Sequence, residues 1–341
     1  MVCEEDKIMK VTINDIAKAS GLSTATVSRV LSGKGNVKKE TSELVVKYVK
    51  ELNYKYKSTQ KASDDTKIMM IVGDIKNPFY LSIIQGASNV FNKNGYKMAI
   101  FNSNEDASTE EEYVSFAHRD RFDGIIMITV TETVTLIKLL KENLCPVVLV
   151  NRFVRSLDLD AVCIDNFRGG YMATHYLIQK GHVRIAHLCG PENSTASQDR
   201  KRGFEVALKD FGLTLEQKAI FQGDLKNESG LAFADYFVNK LNGYTAVFFA
   251  NDIMAASFVS KVSEYGLEVP KNVSVICFDD TPATTIGKVG LTTVYQDPET
   301  MGQVAAGIMV ENLSNKNAVK RKVIYPPELI ERESVADITK K

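Results

Sequence analysis

The sequence holds 341 residues, 44% hydrophobic and 25% charged, with 42 basic and 42 acidic side chains. That length suffices for two or three domains with buried cores. No run approaches the ~18 apolar residues of a membrane span and no apolar leader precedes the first helix, so a cytoplasmic protein without a membrane partner is expected.

The neutral total hides an asymmetry. Residues 1–61 carry 12 Lys/Arg against 7 Asp/Glu, and residues 62–341 carry 30 against 35. A basic amino-terminal module on an acidic body suits a polyanion partner reached through the amino-terminal part alone. Cys3, Cys145, Cys163, Cys189 and Cys277 are scattered and odd in number, without a C-x-x-C pair. They speak against a disulfide framework or a zinc site.

The first elements lie in "TINDIAKASGLSTATVSRVLSG", residues 12–33. Thr12 followed by Asp15 predicts a helix start in which a hydroxyl caps the first turn, and Ile13, Ile16 and Ala17 then share a face. Gly21 supplies a tight turn and Ser23 is placed to cap a second helix. There Val27, Val30 and Leu31 must point inward, leaving Thr24, Ala25, Ser28 and Arg29 outward at the amino-terminal end. A third helix follows, with Leu44, Val45, Tyr48, Val49 and Leu52 as its buried stripe. Two helices joined by a Gly-containing turn and backed by a third make a helix-turn-helix module, whose second helix enters the major groove of duplex DNA. Thr24 and Ala25 are short enough to approach base edges, and Arg29 can offer a two-donor fork to guanine. Thr12, Ser23, Ser28 and Asn36 are candidate phosphate contacts.

The stretch from Val11 to Tyr54 resembles the DNA-binding headpiece of the LacI/GalR family of bacterial transcription regulators. By that resemblance Thr24, Ala25 and Arg29 stand at the main base-reading positions. The next segment, "KYKSTQKASDDTK" (residues 55–67), is polar and linker-like. The family usually carries an Ala-Arg-x-Leu pattern here, whose leucine wedges into the minor groove. This chain has Gln60, Lys61, Ala62 and Ser63 instead. A serine cannot supply an apolar wedge, so the operator is expected to be bent less, or major-groove contacts to matter more.

From residue 68 short apolar runs alternate with helical segments: "IMMIV" (68–72), "KMAIF" (97–101), "GIIMI" (124–128), "VVLV" (147–150), "RIAHL" (184–188), "AVFFA" (246–250) and "VSVICF" (273–278). This pattern predicts parallel sheets covered on both faces. Asp74, Asn102, Thr129, Asn151-Arg152, Asn251-Asp252, Asp279-Asp280 and Gln296 follow successive strands. Polar groups at the carboxyl ends of parallel strands converge on a ligand crevice. Taken singly, each could instead cap the following helix.

"DIKNPFY", "GHVRIAHLCGP", "RKRGF", "FFANDIMA", "VPKNVSVICFDD" and "LTTVYQD" resemble effector-domain signatures of the same family. The resemblance implies a two-lobed, periplasmic-binding-protein-like core with the ligand between lobes. Arg200, Asn251, Asp279 and Gln296 match ligand-contacting positions, and Asp74, Phe79 and Asn151 line the same cleft by analogy. An isolated surface arginine is the competing reading of Arg200, given Lys201 and Arg202 beside it.

The expected chain is α/β, with a headpiece at 1–57, a hinge at 58–67, and a two-lobed effector-binding and dimerisation domain at 68–341. Within it, residues 68–164 plus a carboxyl-terminal return should form one lobe and about 165–288 the other. The expected function is a dimeric regulator, a repressor, on a near-palindromic DNA operator, controlled by a small molecule of carbohydrate type, with no cofactor or metal and no catalysis. A solute-binding transport protein, or an enzyme acting on sugars or nucleosides, could share the body. The transport protein would need an export signal and have no use for a helix-turn-helix, and the enzyme should show turnover.

Overall fold

The computed structural model describes residues 11–32, 37–52, 54, 66–142, 145–315 and 317–339. The chain divides into two compact units, Met1–Asp64 and Asp65–Lys341.

The first unit holds α1 (Ile13–Ser20), α2 (Thr24–Ser32) and α3 (Lys39–Glu51). At the start of α1, the Asp15 carboxylate accepts from both the backbone N–H (2.8 Å) and the hydroxyl (2.7 Å) of Thr12. With the Thr12 side chain facing the Asp15 N–H in return, the two residues form a reciprocal capping box, and the Thr12 hydroxyl also donates to Asp15. Gly21 closes α1 in the left-handed region, φ 69°. The Ser23 hydroxyl caps α2 by accepting from the Thr26 N–H at 3.1 Å. Ile16, Ala17, Val27 and Val45 form the core, flanked by Val30, Leu31, Tyr48, Val49 and Leu52. Leu44 departs from the expected stripe: it is 37% exposed. The buried face of α3 centres on Val45 and Val49, and Leu44 falls at its rim.

The second unit runs β1 (Lys67–Val72), α4 (Pro78–Asn94), β2 (Lys97–Asn102), α5 (Ala107–Arg119), β3 (Gly124–Met127), α6 (Val134–Lys141), β4 (Val147–Val150) and β5 (Asp160–Ile164). It continues with α7 (Asn166–Gln179), β6 (Ile185–Cys189), α8 (Thr195–Asp210), β7 (Ile220–Gln222), α9 (Asn227–Lys240), β8 (Ala246–Phe249) and α10 (Asp252–Glu264). Then follow β9 (Ser274–Asp279), α11 (Ala283–Ile286), β10 (Thr292–Tyr295), α12 (Pro298–Ser314), β11 (Lys322–Tyr325) and β12 (Glu328–Ile330).

Two six-stranded sheets result, ordered β11-β5-β4-β3-β1-β2 and β12-β10-β9-β8-β6-β7. Every pairing is parallel except β10 with β12. Central strands such as β1, β3, β4 and β8 read as unbroken apolar runs because both faces are covered. On β1, Ile68, Met70 and Val72 enter the core under α4 and α12, while Met69 and Ile71 enter the one under α5 and α6.

The chain passes between lobes three times: from β5 to α7, from β10 to α12, and from β11 to β12. The second lobe therefore extends through Tyr295, beyond the expected end near 288. The carboxyl-terminal return is shared, since β11 joins the first sheet and β12 the second. Among the described residues no helix is long and apolar enough to cross a membrane.

Candidate functional site

Because the strands of each sheet are parallel, their carboxyl ends lie on one side of each lobe, and those sides face one another. Between them lies an outer cavity of about 380 Å³, lined by Asp74, Asn77, Tyr80, Asn102 and Glu105 of the first lobe and Asp224, Leu225 and Lys226 of the second. A deeper void of about 20 Å³ is walled by Phe79, Asn151 and Arg152 from one lobe and Ser194, Ser197, Arg200, Asn251 and Asp279 from the other. Six of the seven residues expected at an effector site thus line these two spaces.

Arg200 is 5% exposed, which rules out the surface-arginine reading. It projects from α8, whose first turn is capped by the Ser194 hydroxyl accepting from the Ser197 N–H at 3.3 Å. Its Nε donates to Asn166 Oδ1 at 2.8 Å, and its Nη1 donates to the Ala250 carbonyl. The guanidinium lies 3.7 Å from the Phe278 ring centre, and Nη1 is 3.5 Å from Asp279 Oδ1. Burial lowers the Arg200 pKa, and the Asp279 charge works against that shift.

Asp279 ends β9 with φ 95°. Its Oδ1 accepts from Gln296 Nε2 at 2.6 Å. Gln296, expected as a ligand contact, sits behind Asp279, outside the residues that line either cavity, and fixes the orientation of that carboxylate. Asn251 serves two ends at once: Oδ1 caps α10 by accepting from the Met254 N–H, and Nδ2 donates to the Leu225 carbonyl on the cavity wall. Asn151 is 6% exposed and its Oδ1 has no partner among the described residues. Asp74 stands at the outer rim, accepting from the Lys76 N–H.

Two strand-end residues turn elsewhere. Thr129 donates its hydroxyl to Glu110, which is fully buried. Asp280 pairs with both terminal nitrogens of Arg332 at 2.6 and 3.1 Å.

The residues that sequence reading did not single out are Tyr80, Glu105 and, as an individual contact, Arg152. Arg152 is 2% exposed, and its Nη1 lies 2.9 Å from Glu105 Oε2. Tyr80 donates its hydroxyl to the other Glu105 oxygen at 2.8 Å. Burial disfavours the Arg152 charge, but Glu105, Tyr80 and Glu110 together outweigh it and raise the pKa. Burial, then Glu105, holds the Tyr80 hydroxyl well above its ordinary value.

Among the described residues seven non-glycine positions have positive φ, and six of them, Asn104, Glu105, Asn151, Leu225, Asp279 and Asp280, lie on or next to these cavity walls. Such conformations cost energy and persist where surrounding contacts enforce them, typically at binding sites.

In the first unit Thr24 and Ala25 are exposed in the first turn of α2 and Ser28 further along; Arg29 is exposed too, but in the last turn of this nine-residue helix and not at the expected amino-terminal end, and Thr12 and Ser23 are also exposed. Asn36 and the hinge residues Gln60–Ser63 lie outside the described residues.

Residues 12–56 match the family described as "Bacterial regulatory proteins, lacI family", and residues 174–335 match "Periplasmic binding protein-like domain". The chain is 30% identical over 336 residues to the HTH-type transcriptional regulator DegA of Bacillus subtilis (strain 168), covering 97% of this chain and 99% of that protein. It is 32% identical over 331 residues to the HTH-type transcriptional repressor PurR of Pectobacterium carotovorum subsp. carotovorum (strain PC1), covering 96% and 97%. Among solved structures, a transcriptional regulator CelR–cellobiose complex superposes with a TM-score of 0.74 at 26% identity, over 95% of this chain and 99% of that one. The lac repressor dimer bound to operator and the anti-inducer ONPF shares the fold, with a TM-score of 0.72 at 23% identity over 96% and 99%. These full-length relatives are regulators, so the enzyme and transport readings of the core fall away. The chain belongs to the lacI family of bacterial regulatory proteins, DNA-binding regulators of transcription.

Proposed function

We propose that the chain is a repressor that binds a near-palindromic operator as a homodimer and changes its grip when a sugar or sugar derivative occupies the interlobe cleft. Thr24, Ala25 and Arg29 read base edges, while Thr12, Ser23, Ser28 and Asn36 hold phosphates. One headpiece makes too few contacts for tight specific binding, and two on a symmetric dimer read two half-sites. Asp74, Phe79, Asn151, Arg200, Asn251 and Asp279 hold the effector, with Gln296 steadying Asp279.

The observation that carries the effector reading is the cleft wall itself: buried amide, hydroxyl, carboxylate and guanidinium groups from both lobes meet around one space. Planar Asp, Asn and Arg groups can each bridge neighbouring hydroxyls. The relative complexed with cellobiose and the relatives named as repressors support the same reading. Ligand contacts from both lobes favour one interlobe angle, and that angle sets the spacing of the two headpieces. A thermal-shift screen of the full chain against sugars, sugar phosphates and nucleobases tests the effector class. A ligand at a hundred times its Kd adds ~2.7 kcal/mol of stability. Stabilisation by nucleobases and by no sugar would overturn the carbohydrate reading.

A further inference from the structure

A cavity of about 790 Å³ opens at the other end of the first lobe, where β3 and β4 begin. Those strands are parallel, so this end lies opposite the cleft. One wall is the carboxyl end of α5, with Arg121 and Phe122 just beyond it. Another is the last turn of α12, with Asn312 and Leu313, and Asp123 and Pro146 lie between, each directly before a strand. None of these residues lines either interlobe space.

Asn312 is 4% exposed, and its two polar atoms are unequally served. Nδ2 donates to Asp160 Oδ2 at 2.8 Å, an oxygen that Lys320 Nζ also reaches at 3.1 Å. Oδ1 is buried and has no donor among the described residues. On the α5 wall His118 Nε2 is likewise buried and unpartnered. It accepts in the tautomer that holds its proton on Nδ1. Asp123 adds a carboxylate, turned by the Lys67 N–H at 2.8 Å. Buried acceptors left unpaired cost energy that a bound donor recovers.

Several acceptors around one space call for a donor-rich group, and an alkylammonium carries three N–H bonds. The helix dipoles agree, since α5 and α12 both end at the cavity and a carboxyl end favours positive charge. A bare cation, however, would also meet Arg121. That side chain is exposed on a left-handed residue, φ 53°, and makes no ion pair among the described residues. Lys320, by contrast, is matched by Asp160. One unmatched guanidinium beside a set of acceptors suits a zwitterion, whose carboxylate takes the two-donor fork of the arginine. Phe122, Pro146 and Leu313 supply apolar wall, and the volume accommodates a sizeable side chain.

We propose that this cavity is a second small-molecule site, separate from the cleft, that binds a free α-amino acid with a large apolar side chain. Asn312, His118 and Asp123 hold its ammonium group, and Arg121 holds its carboxylate.

The test is calorimetric titration of the full chain with L-phenylalanine, L-leucine and L-methionine. It is followed by the amine and the carboxylic acid that each retain one charge of the tightest binder, 2-phenylethylamine and 3-phenylpropionate in the case of phenylalanine. At least one amino acid is expected to bind, and to bind at least tenfold more tightly than either half. Arg121→Ala, at an exposed side chain, should weaken the amino acid tenfold or more without weakening the amine. Asp123→Asn, which keeps an acceptor for the Lys67 N–H, should weaken both. Arg200→Ala, in the cleft, should leave amino acid affinity unchanged. Binding of none of the three amino acids overturns the proposal, as does unchanged affinity in both Arg121→Ala and Asp123→Asn; either result leaves the effector reading of the cleft standing. Binding that disappears in Arg200→Ala would put the amino acid in the cleft and overturn the proposal too.

Discussion

Gly170 on α7 lies directly against the backbone carbonyl of Arg200 on α8, so close that a β-carbon at 170 would collide with it. Across the same crossing Gly203 lies against the Phe167 carbonyl. The two glycines let α7 and α8 approach nearly backbone to backbone, and this places the Arg200 guanidinium over Phe278 and beside Asp279. Gly170→Ala must push α8 away. The expected cost is ~1–3 kcal/mol of stability, typical of overpacking, together with weakened effector binding. Chemical denaturation and calorimetric titration of one preparation measure both. Full effector affinity in a destabilised variant would detach the crossing from the site.

Arg200→Ala removes the donors to Asn166 and Ala250 and the cation facing Asp279. The response of operator binding to the effector should be lost, while operator affinity without effector stays near the wild-type value. Fluorescence anisotropy with a labelled duplex measures each quantity, and an intact response would remove Arg200 from the site.

Arg29 is exposed on α2. Arg29→Ala is expected to cost ~1–3 kcal/mol on a cognate duplex while leaving non-specific DNA nearly unaffected. Equal losses on both duplexes would make it a phosphate contact only.

The pH dependence of stability carries the mark of Asp252. Burial, then the neighbouring Asp279 charge, raises its pKa from 3.8 to about 7. The folded chain therefore holds this proton where the unfolded chain has lost it, and the contribution of Asp252 to stability falls as pH rises from about 4 to about 7. Asp252→Asn keeps an acceptor for the Thr281 N–H and removes this carboxyl's titration, leaving that of Asp279, whose pKa burial also raises. Its stability relative to wild type should rise across that interval and level off above it. Comparing the two proteins also cancels the opposite slope from His187, whose burial lowers its pKa to about 4. A flat difference would place Asp252 outside the titration.

Much of this architecture is legible because periodicity reports which side of an element is buried. Val27, Val30 and Leu31 turn inward at helical spacing, so Thr24, Ala25 and Arg29 are exposed, as α2 shows. The fully covered strands announced themselves as apolar runs. Others did not. β7 and β11 are short and partly exposed. β5 opens on Asp160, a fully buried carboxylate that accepts from Asn312, Lys320 and the Arg321 N–H, and this charge breaks its apolar run. Strand-end polar residues located the cleft but not their aim: Gln296 serves Asp279, and Thr129 serves Glu110. Glu105 left no trace in the pattern. It reaches Arg152 from consecutive left-handed residues, Asn104 at φ 55° and Glu105 at φ 61°, a conformation that no spacing rule announces for non-glycine residues.

The most direct measurement is a titration of the full-length chain onto a duplex selected from random sequences, repeated with saturating amounts of a compound shown by calorimetry to bind the cleft. Operator affinity should change 5- to 150-fold or so, as a coupling of ~1–3 kcal/mol requires, and the change should vanish in Arg200→Ala. Identical titrations with and without a cleft-bound ligand would contradict regulation through the cleft.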